Sequence, residues 1–173
     1  SAVIVFIVSS IIHTLLTYHR TDFQSVPSED QVQDALRPFN IPPGDYGLPY
    51  AGSMQALKSP EFLEKLNKGP VAFLTVLPTG PMNMGKSLAQ WFVYSLIVSF
   101  FAAYLASRVV DAGTDYLAVF RVVGTVAFMG YSIGLMQNSI WLGRSWPATL
   151  RSMFDGLIYA LFTAGTFGWL WPG

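Results

Sequence analysis

The sequence predicts an all-α integral membrane protein, in which a bundle of four transmembrane helices carries a small cytoplasmic α/β cap between helices 1 and 2. Of the 173 residues, 52% are hydrophobic and 12% are charged, about half the ~25% charged fraction of a typical soluble domain. The mean hydropathy is +0.43. The apolar residues also gather into long stretches almost free of charge. This composition leaves too few polar residues to cover a soluble core of this size.

The charge balance and the lack of cysteine exclude several classes of function. The chain has ten basic and ten acidic residues, so it lacks the basic surface of a nucleic-acid-binding protein, and we expect no nucleic-acid partner. With no cysteine, a disulfide framework, a thiolate metal site, an iron–sulfur cluster and a cysteine nucleophile are all excluded. The composition also excludes a disordered chain and an ordinary soluble enzyme.

Four apolar stretches are candidates for crossing the bilayer, because a spanning helix needs about 20 mostly apolar residues. The second stretch carries no charge, and the third and fourth carry one each, Arg121 and Asp155. The first is uncharged but short. It lacks a basic region before it and a small-x-small cleavage site after it, so we expect an uncleaved helix with a few further residues upstream. The predicted spans are residues 1–18, 87–107, 116–140 and 153–171.

The basic residues beside the spans predict the orientation. Arg20, Lys86, Arg144 and Arg151 flank spans on one side, and Arg108 flanks a span on the other. Because cytoplasmic flanks are enriched in Lys and Arg, we place the polar segment 19–85 in the cytoplasm and both termini outside.

The polar segment contains signals for two helices and a strand. A capping box at Ser28 opens a helix to about Arg37. In residues 59–69, a Ser-Pro-Glu start and a final glycine bound a second helix. The strand-like run 71–77 is expected to pair with the extended stretch 46–50. Since the segment has little core of its own, we expect it to pack on the membrane face of the bundle.

Residues 80–87 match the phosphate-loop pattern G-x-x-x-x-G-K-[ST]. Two features argue against nucleotide binding. The segment is too short for the parallel sheet of a phosphate-loop enzyme, and no second strand ends in a magnesium-binding aspartate. We therefore interpret Lys86 as the anchor of the following span and Gly85 as a turn into it, and we expect no nucleotide partner.

His13 is the one candidate cofactor ligand within the spans. It shares a helix face with Ser9 and Thr17, so its imidazole could ligate haem, a chlorin or another metal, or simply form an interhelical hydrogen bond. Its spacing of six residues from His19 places the two on different helix faces. We therefore predict no metal site, and no cofactor beyond the His13 possibility.

The two charges within the spans have structural interpretations. Arg121 is expected either to extend to the surface or to pair with Asp111 or Asp115. Asp155 is expected to pair with Arg151, one turn earlier, or to be stabilised by the helix N-terminus. Both lie near span ends, so the sequence offers no mid-membrane carboxylate for a proton pathway.

Small residues recur at every fourth position in three spans. Such stripes allow helix backbones to approach closely, which favours helix association in lipid. They predict packing within the bundle or against another membrane subunit. The stripes are Ser95, Ser99, Ala103 and Ser107; Gly130 and Gly134; and Gly156, Ala160, Ala164 and Gly168.

Three tracts carry a resemblance: SSIIHTLLTYHRTDF, SPEFLEKLNKGPVAFLTVLPTGPMNMGKSL and DGLIYALFTAGTFGWLWP. With them, most of the chain resembles a group of uncharacterised small bacterial inner-membrane proteins with four transmembrane helices. Where that group reads W-x-G-R-P-W, this chain has serine at position 145. No activity is assigned to the group, so the resemblance implies only the architecture and a bacterial inner-membrane location.

The sequence thus favours a non-catalytic membrane subunit or scaffold packed against a larger membrane complex or other copies of itself. No catalytic residues are recognisable, so we expect no enzyme activity. One alternative is a small oligomeric transporter or channel, based on the polar stripe of the first span and on Gln137 and Asn138. Another is a haem-, chlorophyll- or quinone-binding protein using His13.

Overall fold

The computed structural model describes all residues, 1–173, and the chain is mostly helical with one small sheet. It forms two compact units: a helical unit of Ser1–Gln24 and Asn83–Gly173, and a polar unit of Ser25–Met82. In chain order the elements are α1 (Ala2–Leu15), α2 (Glu29–Leu36), β1 (Gly44–Leu48), α3 (Pro60–Lys68), β2 (Ala72–Val76), α4 (Met84–Val109), α5 (Tyr116–Tyr131), α6 (Met136–Leu142) and α7 (Trp146–Leu170).

Two helices are long and apolar enough to cross a membrane: Met84–Val109 and Tyr116–Leu142. The second consists of α5, a short 3₁₀ turn and α6. Only 22% and 28% of their most apolar windows are buried inside the protein, whereas the core helix of a soluble protein is mostly buried. Most of their apolar surface therefore faces outwards. α1 is a shorter apolar helix.

Two helices have bounds that differ from those of the spans predicted there. α7 begins at Trp146 rather than at residue 153, because Ser145 precedes it and a proline occupies its first turn. Only residues 143–145 separate it from α6, and Gly143, with φ 67°, makes that sharp reversal. α1 ends at Leu15 rather than at residue 18. The start of α5 was predicted correctly: Asp115 caps it by accepting hydrogen bonds from two amides.

The closest helix contact joins α5 to α7 through the small residues of α7. A Cβ atom added at Gly156 would lie 2.2 Å from the Ser132 Oγ and 2.7 Å from the Tyr131 carbonyl oxygen. Ala160 and Ala164 are buried, and a Cβ at Gly168 would lie 2.8 Å from the Tyr116 ring. The small-residue stripe predicted in the fourth span is therefore the packing face of α7.

The other two stripes were only partly right. On α4, Ser95 and Ser99 are buried as expected, but the buried face continues through Ala102 and Ala106. An α-helix has 3.6 residues per turn, so residues spaced four apart drift around the helix axis. Over this length, the drift moves Ala103 and Ser107 out of the buried face. A Cβ at Gly130 would be 3.2 Å from Val98, whereas one at Gly134 would meet nothing within 4 Å.

The polar unit contains the predicted strand pair. β1 and β2 are antiparallel, with Gly44 opposite Val76 and Leu48 opposite Ala72. α3 has the predicted cap, since the Ser59 hydroxyl accepts a 3.2 Å hydrogen bond from the Phe62 amide. α2 forms as well, but the Ser28 side chain makes no capping bond, because Ser28 adopts a left-handed backbone conformation (φ 52°).

The phosphate-loop match has the geometry of a helix cap. The Asn83 side chain accepts a 3.0 Å hydrogen bond from the Lys86 amide, and that amide is one that a phosphate loop would offer to its ligand. The sheet that precedes it has two antiparallel strands, unlike the parallel sheet of phosphate-loop proteins. Both features agree with the interpretation of Lys86 as an anchor at the start of the following helix.

Substitution of Gly156 with alanine tests the α5–α7 contact. The added methyl group would overlap a backbone carbonyl, so we expect a loss of about 1–3 kcal/mol of unfolding free energy. Thermal unfolding of the purified protein in detergent measures the change. Gly134→Ala is the matched control, because space is free there. Equal unfolding temperatures for the two variants would contradict the contact.

Candidate functional site

A cluster of ionisable side chains lies at the end of the helical unit where α1 stops. After α1, the chain turns back through a 3₁₀ turn, Tyr18–Thr21. This turn carries His19 to a position beside His13 and beside Asp155 of α7. We refer to His13, His19 and Asp155 as the His–Asp cluster.

The prediction that the two histidines lie on different faces was wrong. Their rings are stacked, with centroids 4.9 Å apart and planes 8° from parallel. The prediction assumed a continuous helix through residue 18. Instead α1 ends at Leu15, and Leu16 is extended, with φ −89° and ψ 137°, so helical spacing no longer relates the two residues.

Asp155 is the centre of the cluster. The His19 Nε2 lies 2.6 Å from the Asp155 Oδ2, and the His13 Nε2 lies 4.0 Å from the same oxygen. The Tyr18 hydroxyl donates to the Asp155 Oδ1. Asp155 is only 3% exposed, so these groups supply the polar environment that a buried carboxylate needs.

The other nitrogen of each histidine faces an oxygen. The His13 Nδ1 is 3.0 Å from the carbonyl oxygen of Ser9, which can only accept, so that nitrogen carries the proton. The His19 Nδ1 is 2.7 Å from the Asp22 Oδ2. The hydrogen bond at Nδ1 leaves the His13 Nε2 as an available ligand or acceptor position, whereas the His19 Nε2 faces Asp155.

Asp22 connects the cluster to two arginines. Its carboxylate accepts a 2.8 Å hydrogen bond from the Arg151 Nε. The Arg151 Nη2 lies 2.6 Å from the same carboxylate as an ion pair, and the Arg144 Nη2 lies 3.8 Å away. Burial alone would raise the pKa of Asp22, but the hydrogen bonds and charges of His19 and Arg151 outweigh it and lower the pKa. The predicted Arg151–Asp155 pair is therefore wrong: Arg151 pairs with Asp22.

Arg121 makes no ion pair with either predicted partner. Its side chain is exposed. Asp115 is used as the helix cap of α5, and the backbone oxygen of Asp111 accepts a 3.0 Å hydrogen bond from the Trp171 indole. Of the two expectations for Arg121, extension to the surface is the one compatible with its environment.

An aromatic group that the sequence did not reveal fills the interior next to the cluster. The rings of Trp91, Tyr131 and Tyr159 lie with their centroids 5.6 to 6.1 Å apart. The Trp91 indole donates a 2.8 Å hydrogen bond to the Ser9 hydroxyl. The interhelical hydrogen bond of this face therefore involves Ser9, whereas His13 bonds within its own helix. Three aromatic residues on three different helices give no local sequence signal.

The chain matches no protein-family model, no curated protein and no solved structure. The interpretation of the cluster therefore depends on its own geometry.

The cluster has the shape of a site for a compact ion. The ring of a haem or chlorin ligated by His13 would be perpendicular to the bond from the Nε2 to the metal. Such a ring needs open space on all sides of that bond. The Asp155 Oδ2 at 4.0 Å and the His19 ring occupy part of that space. The nitrogen and oxygen donors of the three residues lie within 4.8 Å of one another, which is a suitable separation for one small cation or for a shared proton.

Asp22→Asn tests the connection between the 3₁₀ turn and α7. Removing one partner of a nearly buried ion pair leaves the arginines without their counter-charge, so we expect a loss of about 3 kcal/mol of unfolding free energy. Hydrogen exchange of the amides of residues 18–24 should accelerate. Asp34→Asn is the control, because Asp34 pairs with Arg37 on the surface of α2, where such a pair contributes about 0–1 kcal/mol. Equal effects of the two variants would contradict the structural role of Asp22.

Proposed function

We propose that the protein is a multi-pass bacterial inner-membrane protein with four spans, formed by α1, α4, the helix Tyr116–Leu142 and α7. The observation that carries the proposal is the outward-facing apolar surface of the two longest apolar helices. In α4, Phe100 is 64% exposed and Phe101 is 56% exposed, and the two rings lie edge to face. Large contiguous apolar patches are rare on monomeric soluble proteins, and hydrocarbon would cover this one.

α1 and α7 complete the proposed bundle through specific contacts. The Trp91–Ser9 hydrogen bond joins α4 to α1, and Gly156 brings α7 against α5. α7 has 25 residues, which corresponds to about 37 Å of helix and exceeds the ~30 Å hydrocarbon thickness. α1 has 14 residues and would cross only with flanking residues or local thinning of the bilayer.

The proposed orientation puts the polar unit in the cytoplasm and both termini in the periplasm. Arg20 and Arg144 follow α1 and α6, Lys86 lies in the first turn of α4, and Arg151 lies in the second turn of α7. In an alternating arrangement, these four residues share one side. The positive-inside rule makes that side cytoplasmic.

Labelling of single cysteines tests this topology, and the cysteine-free chain needs no background substitutions. We expect Gln24→Cys and Ser145→Cys to react with a membrane-impermeant thiol reagent from the cytoplasmic side. Ser1→Cys, Ala112→Cys and Gly173→Cys should react from the periplasmic side. If positions 1 and 24, or 145 and 173, reacted from the same side, α1 or α7 would not cross, and the four-span proposal would be wrong.

Within the membrane, we propose a non-catalytic role as a subunit or scaffold of a larger membrane assembly. The small residues of α7 are used inside the chain, against α5, so they are not available for another protein. α4 packs on α1 and α5, and its opposite side presents large apolar side chains. That side is the surface proposed to contact a partner subunit or another copy.

The filled interior of the helical unit makes the transport alternative less favourable. Val5, Val119 and Val123 are completely buried, and the aromatic group of Trp91, Tyr131 and Tyr159 packs in the same cluster as Val5. A pathway would therefore have to form between several copies rather than through one chain.

Photo-crosslinking tests the subunit proposal. A photoreactive phenylalanine analogue at position 100, on the proposed contact face of α4, should crosslink to protein in native membranes. The same analogue at Trp169, which is 81% exposed on α7, serves as the control and should crosslink mainly to lipid. Mass spectrometry of the adducts identifies both. A position-100 adduct with lipid alone would overturn the proposed contact.

A further inference from the structure

We propose that the His–Asp cluster binds one divalent transition-metal ion, with Zn²⁺ as the representative ion. The ligands are the His13 Nε2, the His19 Nε2 and a carboxylate oxygen of Asp155. This inference concerns a site that the proposed membrane-subunit function neither requires nor excludes.

The donor set matches the chemistry of such an ion. Two imidazole nitrogens and one carboxylate oxygen suit zinc and its neighbours, whereas Mg²⁺ and Ca²⁺ prefer sites made entirely of oxygen. Three protein ligands leave a fourth tetrahedral position for water, an arrangement found in sites whose metal stays accessible. His13 provides the access route, because its side chain is 56% exposed.

The surrounding hydrogen bonds already orient both imidazoles as ligands. A metal-binding histidine usually donates its other N–H to a carboxylate or a backbone carbonyl, which fixes the ring and its tautomer. Here the His19 Nδ1 faces Asp22 at 2.7 Å, and the His13 Nδ1 faces the Ser9 carbonyl at 3.0 Å. Asp22 is itself held by Arg151. Each Nε2 is therefore left on the side of Asp155.

The distances require only a small local adjustment. Donors bound at about 2.0 Å to one tetrahedral ion lie about 3.3 Å apart. The His19–Asp155 separation of 2.6 Å would lengthen, and the His13–Asp155 separation of 4.0 Å would shorten. The stacked rings have nearly parallel planes, so one must turn for both lone pairs to meet. His13 is the ring with more freedom to turn, since it is bonded only at Nδ1, whereas His19 is bonded at both nitrogens.

The charges of the cluster also favour a cation. Asp22 faces Arg151 and Arg144, whereas Asp155 is buried with no arginine or lysine partner and faces two histidines and Tyr18. A buried carboxylate needs a compensating charge. A metal ion held between the Asp155 carboxylate and the two imidazoles would supply that charge.

The competing interpretation is a purely structural network, in which His19 bridges Asp22 and Asp155 through its two ring nitrogens. His13 distinguishes the two. It makes no hydrogen bond outside its own helix and only approaches Asp155 at 4.0 Å. A structural network would therefore tolerate the loss of the His13 imidazole, whereas a metal site would lose a ligand.

Calorimetric titration of the full chain with ZnCl₂ tests the site, in detergent, with any affinity tag removed and after chelator treatment. We expect one Zn²⁺ per chain and no heat with MgCl₂. His13→Gln should weaken Zn²⁺ binding at least tenfold without changing the helical circular-dichroism signal. Asp22→Asn, which removes the carboxylate that supports His19 and also pairs with Arg151, should weaken it about 10–100-fold. Asp30→Asn, on the exposed surface of α2, is the matched loss of a carboxylate elsewhere and should leave the affinity unchanged.

A second readout uses the fact that both histidines of the chain lie in the site. Protein labelled with ¹⁵N-histidine gives ring signals from two residues only, and Zn²⁺ should shift the Nε2 signals of both. The proposal is overturned if the parent protein binds no Zn²⁺. It is equally overturned if His13→Gln binds with the parent affinity, or if Zn²⁺ leaves both ring signals unchanged.

Discussion

The burial of the Asp155 carboxylate is the constraint around which the helical unit is arranged. Because Gly156, the next residue, has no side chain, α7 can lie close against α5. This contact fixes the rotation of α7 about its axis. That rotation points Asp155 towards the end of α1, where Tyr18 and His19 meet it. The packing of small residues and the satisfaction of a buried charge are therefore parts of one arrangement, because a turned α7 would bury the carboxylate without partners.

Much of the fold could be predicted from local signals. The apolar stretches, the Ser59 cap and the strand-like run that forms β2 depend on residues close in sequence, and all of them appear in the structure. The start of α7 was harder to predict from the sequence. The charge of Arg151 favoured a place in the loop before the span, but Arg151 lies inside α7, where it pairs with Asp22 from the other end of the chain.

The candidate site was also predicted only in part, because its contacts join residues that are far apart in sequence. His13 and Asp155 each stood out as ionisable residues in apolar surroundings, so the sequence identified two of the three members. Their connection through His19 depends on the extended backbone at Leu16, which ends α1 early. Leucine normally continues a helix, and no glycine or proline marks that reversal. Tertiary contacts with α7 decide it, and these join residues more than a hundred positions apart in sequence.

The contacts between the 3₁₀ turn and α7 also have a consequence for how the molecule matures. Asp22 and Arg151 are 129 positions apart, and Tyr18 and Asp155 are 137 apart. During synthesis, the amino-terminal helix emerges first, yet its polar end has no partner until the last helix has been made. Long-range contacts of this kind form late in folding. This end of the molecule can therefore close only when the chain has been made through α7, and a chain interrupted before α7 would leave Tyr18, His19 and Asp22 without these partners.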